Sequence, residues 1–167
     1  MPNVAAIDFY RMEMPGGSEI EVKFEDLLKR TIDLQESIRT KIVNGFPVRL
    51  QSLRESENFR GSKIIEGELI RIKMSGLPKV AGVSGGIEDL NIEDDKGLGS
   101  ETVFMYHPAT KVLVIHAVQT GVSIASFLKY FEQVGETELQ IISGSISADP
   151  LINSDTYMRL VRIAEVI

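Results

Sequence analysis

Thr102-Val103-Phe104-Met105-Tyr106-His107-Pro108-Ala109-Thr110-Lys111-Val112-Leu113-Val114-Ile115-His116-Ala117-Val118 is the stretch on which the fold turns. Two apolar runs, Thr102–Tyr106 and Val112–Val118, flank a five-residue break whose Pro108 is pre-set for the second position of a type I turn. The pattern predicts a β-hairpin. Both runs are apolar at successive positions, so both strands are expected to lie centrally and to be covered on each side. Downstream, Ser123 is placed to cap a helix that runs to Val134 and closes at Gly135. Its stripe of Ile124, Phe127, Leu128 and Phe131 is expected to cover one face of the hairpin.

Upstream, the segment from Ala5 to Met14 reads as a strand with Ile7, Phe9 and Arg11 on one face and Asp8, Tyr10, Met12 and Met14 on the other. Leu27, Thr31, Leu34, Ile38 and Ile42 share helical spacing and predict one helix from Phe24 to Val43, stopped by Asn44-Gly45 and Pro47. Strands are expected at Val48–Leu53 and Ile64–Met74, the second with Arg71 and Lys73 on an open face and Ile70, Ile72 and Met74 in the core. Residues 75–100 hold six glycines and many acids and read as a long surface loop with a short strand near Leu90–Ile92. Leu139–Ile142 reads as a strand and Ala148-Asp149-Pro150 as a break. Ser154 is placed to cap a final helix to Arg162, before an apolar end at Ala164–Ile167. The order of elements predicts a single α+β domain over residues 1–167, a largely antiparallel sheet with two or three helices packed against it.

Composition removes several classes of function. The 167 residues include no Cys, which excludes disulfides, thiolate metal sites and cysteine nucleophiles, and only two His. No apolar run approaches the ~20 residues of a membrane span. The opening Met1-Pro2-Asn3 lacks a basic stretch followed by a long apolar one, so no secretory leader is expected and a cytoplasmic setting is. The net charge is −6, yet residues 39–79 carry nine basic and four acidic side chains, a local balance of +5. The rest of the chain therefore holds −11.

Known chemical motifs fit poorly. Asp89 to Asp95 resembles a calcium loop but has Asp94 where the tight turn needs Gly and Ser100 where the bidentate Glu belongs. Gly82-Val83-Ser84-Gly85-Gly86 lacks the Gly-Lys-Ser/Thr end of a phosphate loop. His107 is read as a turn residue and His116 as a buried neutral core residue, roughly 13–17 Å away along the hairpin at ~3.3 Å per residue. Asp8 with Glu21-Val22-Lys23 echoes nucleases in which two carboxylates hold a metal and a Lys polarises water. That pattern is short and common by chance. No catalytic residue, metal ligand or cofactor site is assigned.

From Glu101 to His116, and again from Gly121 to Phe131, the chain resembles a group of uncharacterised bacterial and phage domains found among mobile-element and anti-phage genes. The strand Gly67 to Lys73 is similar too, and the resemblance spans roughly residues 45–135. It implies an accessory role in a defence or counter-defence system and transfers no functional residue.

The basic middle of the chain carries the functional expectation, nucleic-acid binding without catalysis. Phosphates are expected to meet Arg49, Arg54, Arg71 and Lys73, with Arg60 and Lys63 on the intervening loop. Phe46 and Phe59 are the aromatic residues placed to stack on bases. The acidic stretch Glu88–Asp95 is expected to lie over the same face when it is empty. Two alternatives remain: a protein-interaction subunit, most simply a homodimer given the apolar end at Ile167, and a metal-dependent nuclease using Glu21.

Overall fold

The computed structural model describes residues 6–16 and 20–151. The expected helix Ser154–Arg162 and the apolar end Ala164–Ile167 lie outside them. The architecture is α+β, a seven-stranded sheet in the order β2-β3-β4-β7-β8-β1-β9 with each neighbouring pair antiparallel. These strands are β1 (Ala6–Glu13), β2 (Lys41–Val43), β3 (Phe46–Glu57), β4 (Lys63–Lys73), β7 (Leu98–His107), β8 (Val112–Ala117) and β9 (Ser147–Pro150). The helices are α1 (Phe24–Asp33), α2 (Glu36–Arg39) and α3 (Ile124–Gln133), the last continued by a single π-helical turn, Val134–Glu138.

The hairpin around Pro108 stands at the centre, β7 fourth and β8 fifth in the sheet. Its inner residues Phe104, Tyr106, Leu113 and Ile115 are buried under α1 and α3. Phe127 of α3 meets Phe104 edge-on at 5.1 Å, and Phe24 of α1 meets Tyr106 at 5.0 Å. Ser123 caps α3 as expected, accepting a bond from Ser126 N. Burial on both sides is not what the structure has. Val103 is 44% and Met105 39% exposed, so the second face of β7 is open. An apolar residue on a strand is not by itself evidence of cover.

The single helix expected over 24–43 is instead α1, α2 and the short strand β2. Leu34 and Gln35 are extended, with ψ of 150° and 146°, which breaks the helix after Asp33. The Arg39 guanidinium holds the break by donating to the carbonyls of Ile32 and Leu34 at 3.1 and 2.6 Å. Asn44 (φ 51°) and Gly45 (φ 84°) form a two-residue turn that pairs Val43 with Phe46. Positive φ at both turn residues is what a type I′ hairpin needs, and Asn-Gly serves that as readily as a helix stop.

Strand β3 runs longer than expected and carries a bulge between Leu50 and Ser52. Strand β4 has the opposite phase from the one expected. Ile65, Gly67 and Leu69 face the core while Ile70 and Ile72 sit half-buried on the open face, which puts Arg71 on the core side. In place of a strand at 90–92, β5 (Lys79–Ala81) and β6 (Ile87–Asp89) form a separate two-stranded hairpin. Leu139–Ile142 is not a strand. The carbonyls of Val134 and Gly135 capture Leu139 N and Ile141 N at 3.0 Å each, folding the segment back on the helix. The break at 148–150 is the edge strand β9, where Pro150 at the end of a sheet edge is tolerated.

Candidate nucleic-acid interface

Pairing of β3 with β4 fixes where the six predicted phosphate contacts stand. Val48 pairs with Arg71 and Arg49 with Ile70, so Arg49 and Arg71 point to opposite faces of the sheet. Arg49 bonds Gln51 Oε1 at 3.0 Å and lies 3.7 Å from Glu36. The Arg71 guanidinium lies 4.4 Å from the Phe46 ring centroid, so this ring is already occupied by a cation. Lys73 is exposed at the end of β4. Arg54 projects from the open face and pairs with Glu66. Lys63 sits 3.4 Å from Glu25, and Arg60 is in the turn between the strands. The six therefore form two groups at opposite ends of one hairpin. Lys63 and Arg71 are eight residues apart, which is about 26 Å of strand. Two acids of the long loop have local partners, Asp89 with Lys79 at 3.4 Å and Glu93 with Lys96 at 2.6 Å.

The tip of the hairpin is the better-formed of the two groups. Asn58 Oδ1 accepts from both Arg60 N and Ser62 N at 2.9 Å, and Asn58 N donates to Ser62 O at 2.9 Å. Gly61, at φ 73°, lets the chain reverse there. This tight turn turns Phe59 outward, 92% exposed, with the Arg60 guanidinium 5.3 Å from its ring centroid. Arg54 and Lys63 stand on the two strands behind it, Arg54 on the open face with Glu66 and Lys63 on the helix face beside Glu25. An exposed aromatic ring beside a guanidinium can stack on a base and meet a phosphate.

The open sheet face is chemically different. Phe9, Val114 and Met105 form one cross-strand row, continued by Glu66 and Arg54. Ile7 pairs with His116 in the next row, and Val103 pairs with Glu68. Ile7, Phe9, Val103 and Met105 are all exposed. His116 is half-exposed in this patch and is not the buried core residue expected of it.

Two cavities take in the residues of the nuclease-like pattern. The larger, about 650 Å³, lies between the end of β1, the start of α1 and the β7–β8 turn. Glu21, Lys23 and Tyr106 line it, and its other charged walls are mixed in sign. Burial, with the Glu25 charge as a smaller cause, pushes the Tyr106 phenol up to about 12. Asp8 lines the second cavity, about 350 Å³, beside Tyr10 and Gln119. Burial and the Asp8 carboxylate raise the Tyr10 phenol. Asp8 and the Glu21–Lys23 pair thus open into different cavities. Among the described residues no three His, Asp or Glu side chains converge on a metal-sized site.

The tip carries one strong local signal in its sequence. Asn58-Phe59-Arg60-Gly61 between two β-rich runs is a turn that leaves its second residue unburied. Among the described residues no helix is long and apolar enough to cross a membrane. No curated protein and no solved structure matches the chain. A family model described as a family of unknown function (DUF6731) matches residues 9–162, nearly the whole chain, and the chain belongs to that family.

Proposed function

We propose that the chain is a non-catalytic nucleic-acid-binding domain that takes a single strand at the tip of the β3–β4 hairpin. The observation that carries this reading is Phe59, 92% exposed on a turn held by Asn58 and accompanied by Arg60. A free ring stacks on an unpaired base for ~1–3 kcal/mol, and a duplex offers no such base. Arg60 meets phosphate through its planar fork, and Arg54 and Lys63 exchange their carboxylate partners for phosphates. A cytoplasmic accessory role in a bacterial or phage defence or counter-defence system is the setting that the sequence resemblance implies.

The test is an anisotropy titration of the full chain with single- and double-stranded DNA and RNA at two salt concentrations, with and without magnesium. Three phosphate contacts on a single strand give a log–log salt slope near roughly −2. Saturable binding that prefers single strands and follows that slope supports the reading. No binding at low salt removes it, and cleavage in magnesium lost on Glu21→Ala replaces it with the nuclease. The protein-interaction alternative, a dimer joined through the open apolar face, is removed by sedimentation as a monomer at tens of micromolar.

A further inference from the structure

We infer that the larger cavity binds a small organic oxyanion, a carboxylate or a phosphate monoester, with its charged end between the first turn of α1 and the Tyr106 hydroxyl. Two independent observations meet there. Tyr106 is 4% exposed and lines the cavity, yet its hydroxyl has no hydrogen-bond partner among the described residues. Nor is that oxygen sealed in: the one buried side-chain atom among them that lacks a partner is Nε2 of His107. The Tyr106 ring is packed edge-on against Phe24 at 5.0 Å, so its hydroxyl keeps its access through the cavity. Polar groups on buried side chains are nearly always paired, and one that faces a cavity unpaired calls for a partner from outside the chain.

The second observation is the start of α1. Lys23 at the cap position has no side-chain oxygen to offer, and Asp26 N and Leu27 N both donate to its carbonyl, at 3.1 and 3.3 Å. Phe24 N and Glu25 N are left without an acceptor among the described residues. Free amides at the positive end of a ten-residue helix hold an anion. Lys23, Phe24 and Glu25 line the same cavity as Tyr106. Burial keeps the Tyr106 phenol protonated up to about 12, so it is a donor at neutral pH. Arg11, Lys23 and Lys111 stand on the walls with no ion pair among the described residues. Of the acids there, Glu25 is paired with Lys63 at 3.4 Å, which leaves Glu13 and Glu21 against three cations. The balance favours an anion. A volume of about 650 Å³ exceeds what one oxyanion fills and admits an organic body behind it. The site stands apart from the tip of the β3–β4 hairpin and does not rest on nucleic-acid binding there.

Inorganic phosphate and acetate are titrated separately into the full chain at fixed ionic strength, and the backbone amides are followed by nuclear magnetic resonance. The Phe24 and Glu25 amides are expected to shift saturably with at least one of the two, and the tighter anion names the group. Tyr106→Phe removes an oxygen that bonds nothing in the chain, so the fold is kept. Loss of one charge-assisted bond is expected to raise the dissociation constant about tenfold. Lys23 is exposed, and Lys23→Glu is expected to abolish the saturable shifts. Saturation at neither amide, an unchanged dissociation constant in Tyr106→Phe, or shifts that survive Lys23→Glu overturns the proposal. Shifts confined to residues 59–63 put the anion at the hairpin tip and overturn it as well.

Discussion

Replacing Tyr130 by Phe removes one oxygen and should unseat the sheet edge. Strand β2 pairs Lys41 with Val48 and goes no further, so no strand is left to pair with Leu50 on that side. Two side chains take over the role. The Tyr130 hydroxyl accepts from Leu50 N at 2.9 Å and donates to Arg39 O at 2.7 Å, while Arg39 Nε donates to Leu50 O at 2.9 Å. Tyr130 is fully buried, so water cannot replace the lost bonds at no cost. Tyr130→Phe strands one amide and one carbonyl, each costing ~1–3 kcal/mol when buried and unpaired, about 2–6 kcal/mol together. With a urea slope of about 2 kcal/mol/M, the midpoint falls by about 1–3 M. The chain has no Trp, so far-UV circular dichroism is the probe. A loss below about 0.5 kcal/mol at unchanged slope would refute the idea that these side chains stand in for a strand.

Three further outcomes follow from the same core. Burial pushes the phenols of Tyr106 and Tyr130 up to about 12 from 10.0. Their contribution is therefore whole below about pH 10 and lost as pH rises through about 12. The urea midpoint should drop across that window, less steeply in Tyr130→Phe, and a flat profile would contradict the assignment. Gly67→Ala would put a Cβ 2.4 Å from Phe104 Cζ, in the packed centre of the sheet. It should cost about 1–3 kcal/mol in a denaturant titration. Thr102→Val removes the buried acceptor that holds Val122 N at 2.7 Å at the entry to α3. A loss of about 1–3 kcal/mol is expected in the same titration.

The hairpin around Pro108 and the helix after Ser123 were legible because each has a turn or cap signal beside a strong apolar pattern. The stretch from Phe24 to Val43 was not, because Asn44-Gly45 ends a helix or turns a hairpin equally well. The deciding contacts run from Arg39 to the carbonyls of Ile32, Leu34 and Leu50, five to eleven residues away, and no periodic pattern encodes them. The phase of strand β4 is not legible in the sequence because both of its faces carry aliphatic residues, which leaves alternation without a preferred side. The same ambiguity limited the site. A charge count over residues 39–79 sees nine cations, but only pairing in β3–β4 shows that Arg49 and Arg71 face apart, that Arg54 and Lys63 do too, and that Arg60 adjoins Phe59.

The central claim is that binding is concentrated at the hairpin tip, and one comparison tests it most directly. Wild type, Phe59→Ala, and Arg71→Ala/Lys73→Ala are titrated side by side with the same single-stranded oligonucleotide at low salt. Phe59 packs on no core residue and is 92% exposed, so its loss should leave the fold unchanged. Stacking worth ~1–3 kcal/mol makes Phe59→Ala weaken binding by about five- to 150-fold. The Arg71/Lys73 variant, altered about 26 Å away, should stay within about twofold of wild type. Unchanged binding by Phe59→Ala, together with loss in the Arg71/Lys73 variant, would contradict the account and move the interface to the far end of the hairpin.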